Sequence, residues 1–519
     1  MAQFKHQTLD LNELDGGIND NDSPDQIADN QWAYARNIFG IEKGIKSRNG
    51  YSRLSVSALT SANKQVKGMG QIQSGSGNYN FGCWNHQLFA LNGDTPGNLS
   101  ATRIKNNFNT SGGTGFIGFD FFNFSTVKNA VICNGIQTPV RWDGTSAGVV
   151  NVSGSAPATS DTFINFNNYP LLYDFDALKI YRGNLNDANA GYGSNTPYVI
   201  PTKARGDIGS GFIQFGDELI VTTRRSVHKF TPSGVSTAPF VRKEITNQVG
   251  NLSHRALITI DNGVLFTDYT GIYFYNGSGL VRASTPIQGT WDDINQEYLI
   301  NAVACDYKPM SWALFAVPYG SGQTTNNLIL AYDYLASNPA EGKFVWWMFD
   351  GITAQAMGIF RNSSLVDKWW TGDNNQKIYV QDTGVTDAGA TISQAAYSKA
   401  FDFKKPNLDK RLHECRYIVD DSGNWDLTTS IDIDLQNSAS VSQTISLYSS
   451  STLWGAFTWG SGTWAVAGNL QRRKKFPSTT RGRFLQFRFT VSTASQFFRL
   501  YRYMPAVSFK NQRGRDVMA

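Results

Sequence analysis

Five histidines, His6, His86, His228, His254 and His413, are the first residues to question about chemistry, and their spacing argues against a metal centre. None stands in HxxxH or HExxH, the spacings that put two imidazoles on one helical face. His254, in Leu252-Ser253-His254-Arg255, is the best placed for a role in a loop; a turn or packing histidine is the plainer reading. The acid pairs Asp174/Asp176 and Asp292-Asp293 are of the type glycoside hydrolysis uses, which needs two carboxylates about 5–10 Å apart across a cleft. Yet Asp174/Asp176 brackets a turn, where Asp is ordinary, and Asp292-Asp293 falls in an expected helix. Gly113-x-Gly115-x-x-Gly118 matches the dinucleotide fingerprint by letter. It runs into an aromatic strand at 116–122 instead of opening a helix, so it reads as a Gly-rich loop. No GxSxG, P-loop or catalytic cysteine signature is present. Cys83, Cys133, Cys305 and Cys415 lack CxxC spacing and read as buried small hydrophobes in a protein made in a reducing cytoplasm. The expectation is a non-enzyme with no cofactor and no metal.

Charge is the other chemical signal. The chain carries a net +5, unevenly. From Ala396 onward there are 18 Lys and Arg against 9 Asp and Glu, which leaves 28 against 32 for the rest. The first thirty residues hold seven acids and one Lys. Gln471-Arg472-Arg473-Lys474-Lys475 is a compact basic cluster, and Arg472, Arg473, Lys474 and Lys475 form the candidate interaction surface. Such a cluster suits phosphate backbone or an acidic protein neighbour. With few aromatics inside it, stacking on single-stranded bases is not suggested. The plainer alternative is a solvated surface.

The elements that must carry these residues are short strands. In VGNLSHRALITIDNGVLFTDYTGIYFYNGSG, residues 256–260, 263–267 and 271–275 read as strands. Asp261-Asn262-Gly263, Asp268-Tyr269-Thr270-Gly271 and Asn276-Gly277 close them, because Gly and Asn accept the positive φ of tight hairpins. Gly263, Gly271 and Gly277 are therefore expected as structural turn residues. Similar sets recur at 66–91, 116–142, 212–231, 300–332 and 343–381, with a weaker one at 171–201. Third strands tend to end in Asp or Asn, usually with Gly, as in Val140-Arg-Trp-Asp-Gly and Tyr273-Phe-Tyr-Asn-Gly. Without a WD or kelch signature, this predicts an all-β fold, a β-propeller of about six blades, with five or seven as alternatives. Ser284 to Asn295 is expected to include a helix, since Ile287, Trp291 and Ile294 sit at helical spacing.

Three segments follow. Residues 1–60 form an entry segment with a short helix opened by Ser23-Pro24-Asp25-Gln26-Ile27. Residues 61–395 form the propeller. Residues 396–519, where strands lengthen and alternate as in Ile431-Asp-Ile-Asp-Leu, form an additional β-sandwich-like platform domain. Trp454, Trp459 and Trp464, five apart, read as a loop pinned by aromatics. No run of 18 apolar residues and no apolar signal region is present, so neither membrane insertion nor secretion is expected.

Three stretches together resemble the tail nozzle of short-tailed bacteriophages, also described as tubular tail protein B or packaged-DNA stabilization protein. One is Gly16-Gly17-Ile18-Asn19, Ser23-Pro24, Asn30-Gln31, Ala35-Arg36-Asn37-Ile38 and Lys46-Ser47-Arg48-Asn49-Gly50. The second is Val249-Gly250-x-x-Ser253, Gly271-Ile272-Tyr273 and Asn276-Gly277, with Trp291-Asp-Asp-Ile-Asn295. The third is Gly482-Arg483-Phe484-Leu485-Gln486-Phe487-Arg488-Phe489, Phe498-Arg499-Leu500-Tyr501 and Gly514-Arg515. The resemblance touches most of the chain as scattered residues in a fixed order. It implies a structural virion protein, made in the bacterial host cytoplasm. Such proteins form a ring, commonly of six copies, below the portal and adaptor. The ring retains packaged double-stranded DNA, conducts it at ejection and docks fibres or spikes. A stopper or distal tail protein of a long-tailed phage, or a propeller that binds or hydrolyses glycans, stays open as an alternative.

Overall fold

Strand, tight turn, strand is the unit from which nearly the whole chain is built, as its Asn-Gly and Asp-Gly punctuation requires. The structure is a computed structural model that describes residues 6–54, 65–74, 77–84, 86–108, 115–201, 206–421, 423, 425–438, 440–448, 469–493 and 495–510. The architecture is all-β, with many small four-stranded antiparallel sheets. The expected aromatic loop at Trp454–Trp464 and residue Gly113 lie outside the described residues.

Among the described residues, seven sheets have four antiparallel strands each. The first runs Gly68–Ser74, Gly77–Trp84, Gln87–Asn92, Ser100–Lys105. The second is Gly118–Phe124, Val127–Cys133, Val140–Trp142, Val150–Asn151. The third is Thr162–Phe166, Tyr169–Asp174, Lys179–Arg182, Tyr198–Val199. The fourth is Gly209–Phe215, Glu218–Thr223, Val227–Pro232, Phe240–Thr246. The fifth is Ile258–Ile260, Gly263–Asp268, Gly271–Tyr275, Leu280–Arg282. The sixth is Val303–Tyr307, Trp312–Val317, Leu328–Asp333, Trp346–Asp350. The seventh joins Ala356–Arg361, Asp367–Gly372 and Ile378–Gln381 to Tyr51–Arg53, a strand from the other end of the chain.

Of the expected count of about six units, with five or seven left open, seven such sheets form among the described residues. The weak set at 171–201 is a full sheet, whose first strand, Thr162–Phe166, the sequence pattern did not reveal. Residues 346–350 finish the sixth sheet, and Tyr51–Arg53 supplies the last strand of the seventh.

First strands lie beside one another in sequence order from the second sheet to the seventh, and Ala356–Arg361 lies against Gly68–Ser74 of the first. Between the first and second sheets the absence of side chains at Gly68 and Gly70 makes room for Ile117 and Phe119. Adjacent sheets share apolar clusters. Trp84, Phe360 and Trp370 join the seventh and first, and Phe81, Ile132 and Trp142 join the first and second. Tyr173, Phe212 and Phe230 join the third and fourth. Burying each such large side chain contributes about 1.5–3 kcal/mol.

Two larger sheets face each other. One orders Trp32–Arg36, Gln394–Phe401, Leu485–Val491, Asp426–Ile433 and Val441–Ser446. The other orders Ile38–Ile41, Gly44–Ser47, Arg499–Lys510, Asp409–Asp420 and Asn469–Lys475, with Gln7–Thr8 and Arg481–Gly482 as short additions. Both chain ends therefore contribute to one two-sheet layer. Its aromatic centre sets Phe489 edge-on to Tyr503 and Tyr417.

The expected helix at Ser23 is corrected to a turn, closed by Gln26 N–H donating to Ser23 C=O at 2.8 Å. The Ser23 hydroxyl bonds the Asp25 carboxylate, which removes it as a helix cap. The other expected helix is present in compact form, as a 3-10 turn Thr285–Ile287 followed by an α-helix Gln288–Asp292, with Ile287, Trp291 and Ile294 buried. No helix among the described residues is long and apolar enough to cross a membrane.

Candidate functional site

The first strands of all seven sheets line one cavity of about 570 Å³. Met69, Phe119, Ile164, Ile213, Ile258, Ala304 and Met357 supply one apolar wall residue per sheet. Thr162, Asn165, Gln214 and Thr259 add polar groups to the lining, and four charged or titratable side chains join them: His254, Arg255, Asp120 and Asp306. The first two sit on the short turn His254–Ala256 that precedes the fifth sheet.

Arg255 is tied to its surroundings. It donates to the carbonyls of Gln355 (2.5 Å) and Asn301 (2.7 Å), and its guanidinium lies 3.5 Å from the centroid of Phe116. Burial pushes its pKa down to about 9, so it stays charged at neutral pH. His254 is pushed down to about 3, by burial first and by the neighbouring Arg255 charge second, and is a neutral imidazole. Its Nε2 is buried and has no hydrogen-bond partner.

Burial raises Asp120 to about 6 even though it accepts from the Asn165 N–H at 2.9 Å. Burial also raises Asp306, which accepts from the Tyr334 hydroxyl at 3.1 Å. Each carboxylate is thus held by a structural donor. A smaller cavity of about 210 Å³ shares His254 and adds Asp161, Asp176 and Arg224. Asp161 is raised to about 7 by burial, with Asp174 and Asp176 adding repulsion.

The segment ahead of His254 works as a junction. Asn251 donates to the Ser210 and Ser253 carbonyls at 3.1 and 2.9 Å, and Ser253 donates to Ala302 C=O at 2.7 Å. Residues 251–255 thereby fasten the fourth, fifth, sixth and seventh sheets around the cavity. The sequence marked His254 but not Arg255, Asp120 or Asp161, whose local contexts look like ordinary strand and turn.

The acid pairs do local work. Asp174 accepts from the Thr159 hydroxyl (2.5 Å) and Ala177 N–H (2.9 Å); Asp292 accepts from Gln288 Nε2 (2.7 Å). Asp293 accepts from the Tyr319 hydroxyl at 3.4 Å. Among the described residues no three His, Cys, Asp or Glu side chains group as metal ligands.

Arg472, Arg473, Lys474 and Lys475 lie on Asn469–Lys475, the last strand of the seven-stranded sheet. Alternation splits the cluster. Arg472 points back and donates to the carbonyls of Ser446 (2.9 Å) and Tyr448, latching the end of the facing sheet. Arg473 bonds Glu414, with Nε at 2.7 Å. Among the described residues Lys474 and Lys475 have no ion-pair partner.

Gly277 has φ +93° in the turn where Asn276 Oδ1 accepts from Ser278 and Gly279 N–H. Gly271 opens its strand, and a Cβ there would stand 2.3 Å from Ser284 Oγ. Gly263 begins a strand just past the two-residue turn. Its role is close packing, for a Cβ would meet Phe274 at 2.4 Å.

No family model and no curated protein matches the chain. Among solved structures it is similar to the computationally designed Ika8 protein over 64% of this chain and 99% of the other, with 8% identity and a TM-score of 0.37.

Proposed function

We propose that this chain is a structural assembly subunit, a ring-forming tail nozzle of a short-tailed bacteriophage, whose seven four-stranded sheets are the blades of a closed β-propeller. The observation that carries this reading is what the family-like residues do. The opening motif residues are the rivets between the two-sheet layer and the last two small sheets. Ile18 N–H donates to Trp346 C=O, Asn37 N–H to Met348 C=O, and Gly50 N–H to Gly384 C=O, at 2.9–3.0 Å. Arg48 pairs with Asp387. Gly250 packs so tightly on Arg224 that a Cβ would stand 2.3 Å from its carbonyl carbon. These residues join parts of the scaffold to one another and present no group to a substrate, which suits a structural subunit better than an enzyme.

In this role the chain acts without turnover or cofactor, in the virion tail. Its partners are other copies of itself, an adaptor on the portal side, fibres or spikes, and double-stranded DNA passing through the ring. The test is light scattering with electron microscopy of the purified chain, alone and with its neighbouring tail protein. Closed rings are expected. A strict monomer under both conditions, together with cleavage of a host polysaccharide, would replace this reading with a glycan hydrolase.

A further inference from the structure

Lys46 and Arg499 stand directly opposite each other on paired strands, Gly44–Ser47 and Arg499–Lys510. Two like charges in that position cost stability. Nothing nearby cancels them fully. Lys46 is half-buried; its ammonium lies 5.8 Å from the Phe39 ring centroid and makes no hydrogen bond among the described residues. Burial, and then the Arg499 charge, lower its pKa. The carboxylate that acts on it most, Asp382, is already engaged by Asn49 (2.6 Å) and the Tyr307 hydroxyl (3.1 Å). Arg499 reaches Asp420 only at 3.5 Å, and its Nε is buried without a partner. Glu42 is exposed at the lip.

Both cations open into a pocket of about 390 Å³ between the two-sheet layer and the sixth sheet. Ile41, Met310 and Tyr501 complete its wall. We propose that this pocket binds an organic phosphate. The oxyanion sits between the Lys46 ammonium and the Arg499 guanidinium, and the organic group lies on the apolar wall. A dianionic phosphate offsets both charges, and a guanidinium edge offers it paired donors. A single carboxylate brings half that charge. The pocket does not depend on whether the chain forms a ring.

The test uses the full chain with three probes at constant ionic strength, against chloride: inorganic phosphate, adenosine monophosphate and a short DNA duplex. Calorimetric titration and thermal unfolding are read together. Phosphate and the mononucleotide are expected to bind and raise the melting temperature, with the mononucleotide tighter. Lys46→Gln and Arg499→Gln are each expected to weaken binding by roughly ten-fold or more, the worth of one charge-assisted hydrogen bond. Without ligand, Lys46→Gln should melt at or above the parent, because a like-charge contact is gone. The duplex arm decides the source of the phosphate: binding lost in Lys46→Gln assigns it to nucleic acid, and no duplex binding assigns it to a free metabolite. The proposal is overturned if the parent binds neither phosphate nor mononucleotide, or if Lys46→Gln binds them as the parent does.

Discussion

Arg48 lays its guanidinium along the carboxylate of Asp387, with Nη1 2.8 Å from Oδ1 and Nη2 2.5 Å from Oδ2, across 339 residues of chain. Both side chains are buried. The remaining donors are used as well: Nε on Asn37 Oδ1 at 2.7 Å and Nη2 on Asp350 C=O at 2.9 Å. One side chain therefore ties the strand that precedes the seventh sheet's outer edge to the end of the sixth sheet and to the segment that follows the seventh.

Cutting one side of this pair leaves a buried charge without its partner. Asp387→Asn and Arg48→Met should each destabilise the fold by about 3–5 kcal/mol. The double variant Arg48→Met/Asp387→Asn should lose less than the sum of the two, because no orphan charge remains. Urea unfolding of the four proteins measures this. Additive losses would show that the two residues act independently.

Stability should fall as pH rises through the range set by the cavity carboxyls. Asp161 is raised to about 7 and Asp120 to about 6, from 3.8. A raised acid binds its proton more tightly in the folded chain. The advantage these groups give the folded state is full below about pH 4, the unfolded value, and is lost as pH climbs to the folded values of about 6 and 7. At about 1.4 kcal/mol per pKa unit, Asp161 alone accounts for up to about 4 kcal/mol. Between pH 5 and 8 the melting temperature of the parent is expected to drop. Asp161→Asn, which keeps an acceptor for the Phe175 N–H, should flatten the slope. An unchanged slope in that variant would refute this origin.

Glycine substitutions should rank by what the new Cβ meets. At Gly277 the nearest atom is Phe215 Cε1 at 3.5 Å, so Ala there costs only its positive φ, about 1 kcal/mol. At Gly263 the ring of Phe274 must move. At Gly50 a Cβ would stand 2.0 Å from the Thr386 carbonyl oxygen, which is backbone and cannot give way. Expected melting temperatures therefore fall in the order Gly277→Ala, Gly263→Ala, Gly50→Ala, with the last failing to yield soluble protein.

Local turn chemistry made much of this fold readable. Asn276-Gly277 and Asp143-Gly144 mark their turns because only short polar residues and Gly fit there. Sheet count was less readable, since Tyr51–Arg53 is three residues long and finds its partner strand, Ile378–Gln381, more than 300 residues away. Ser23-Pro24 has the letters of a helix start, but a side-chain bond to Asp25 competes for the hydroxyl. The cavity groups were hidden for the same reason as the sheet count. Asp120 and Arg255 are ordinary on their own strand and turn, and acquire their burial only when seven sheets converge.

All four cysteines are free and buried, and burial pushes Cys83 and Cys415 up to about 12 and raises Cys133 and Cys305 as well. A thiol of that kind is a poor nucleophile. A colorimetric disulfide reagent at pH 8 should therefore titrate no thiol in the native chain and four in denaturant. Rapid native labelling of even one would place that cysteine at the surface.

The basic strand should divide into a structural half and a docking half. Arg472 holds the Ser446 and Tyr448 carbonyls at the end of the facing sheet. Arg472→Glu is therefore expected to lower the melting temperature. Arg473→Glu would set a carboxylate against Glu414 and lower it too, since Glu414 is held below its usual range chiefly by its bond to Arg473. Lys474 and Lys475 have no such anchor. Lys475 stands directly opposite Glu414 on the paired strand, so reversing both lysines to Glu should lower stability, but by no more than about 1 kcal/mol, the scale of one cross-strand pair. If the strand docks an acidic neighbour, that double variant should assemble more slowly, and the gap should shrink as salt rises, because charge of this kind acts mainly on encounter. Ring or particle incorporation followed in time at low and high salt gives the answer. Incorporation of the double variant at the parental rate in low salt would mean that Lys474 and Lys475 serve only solubility.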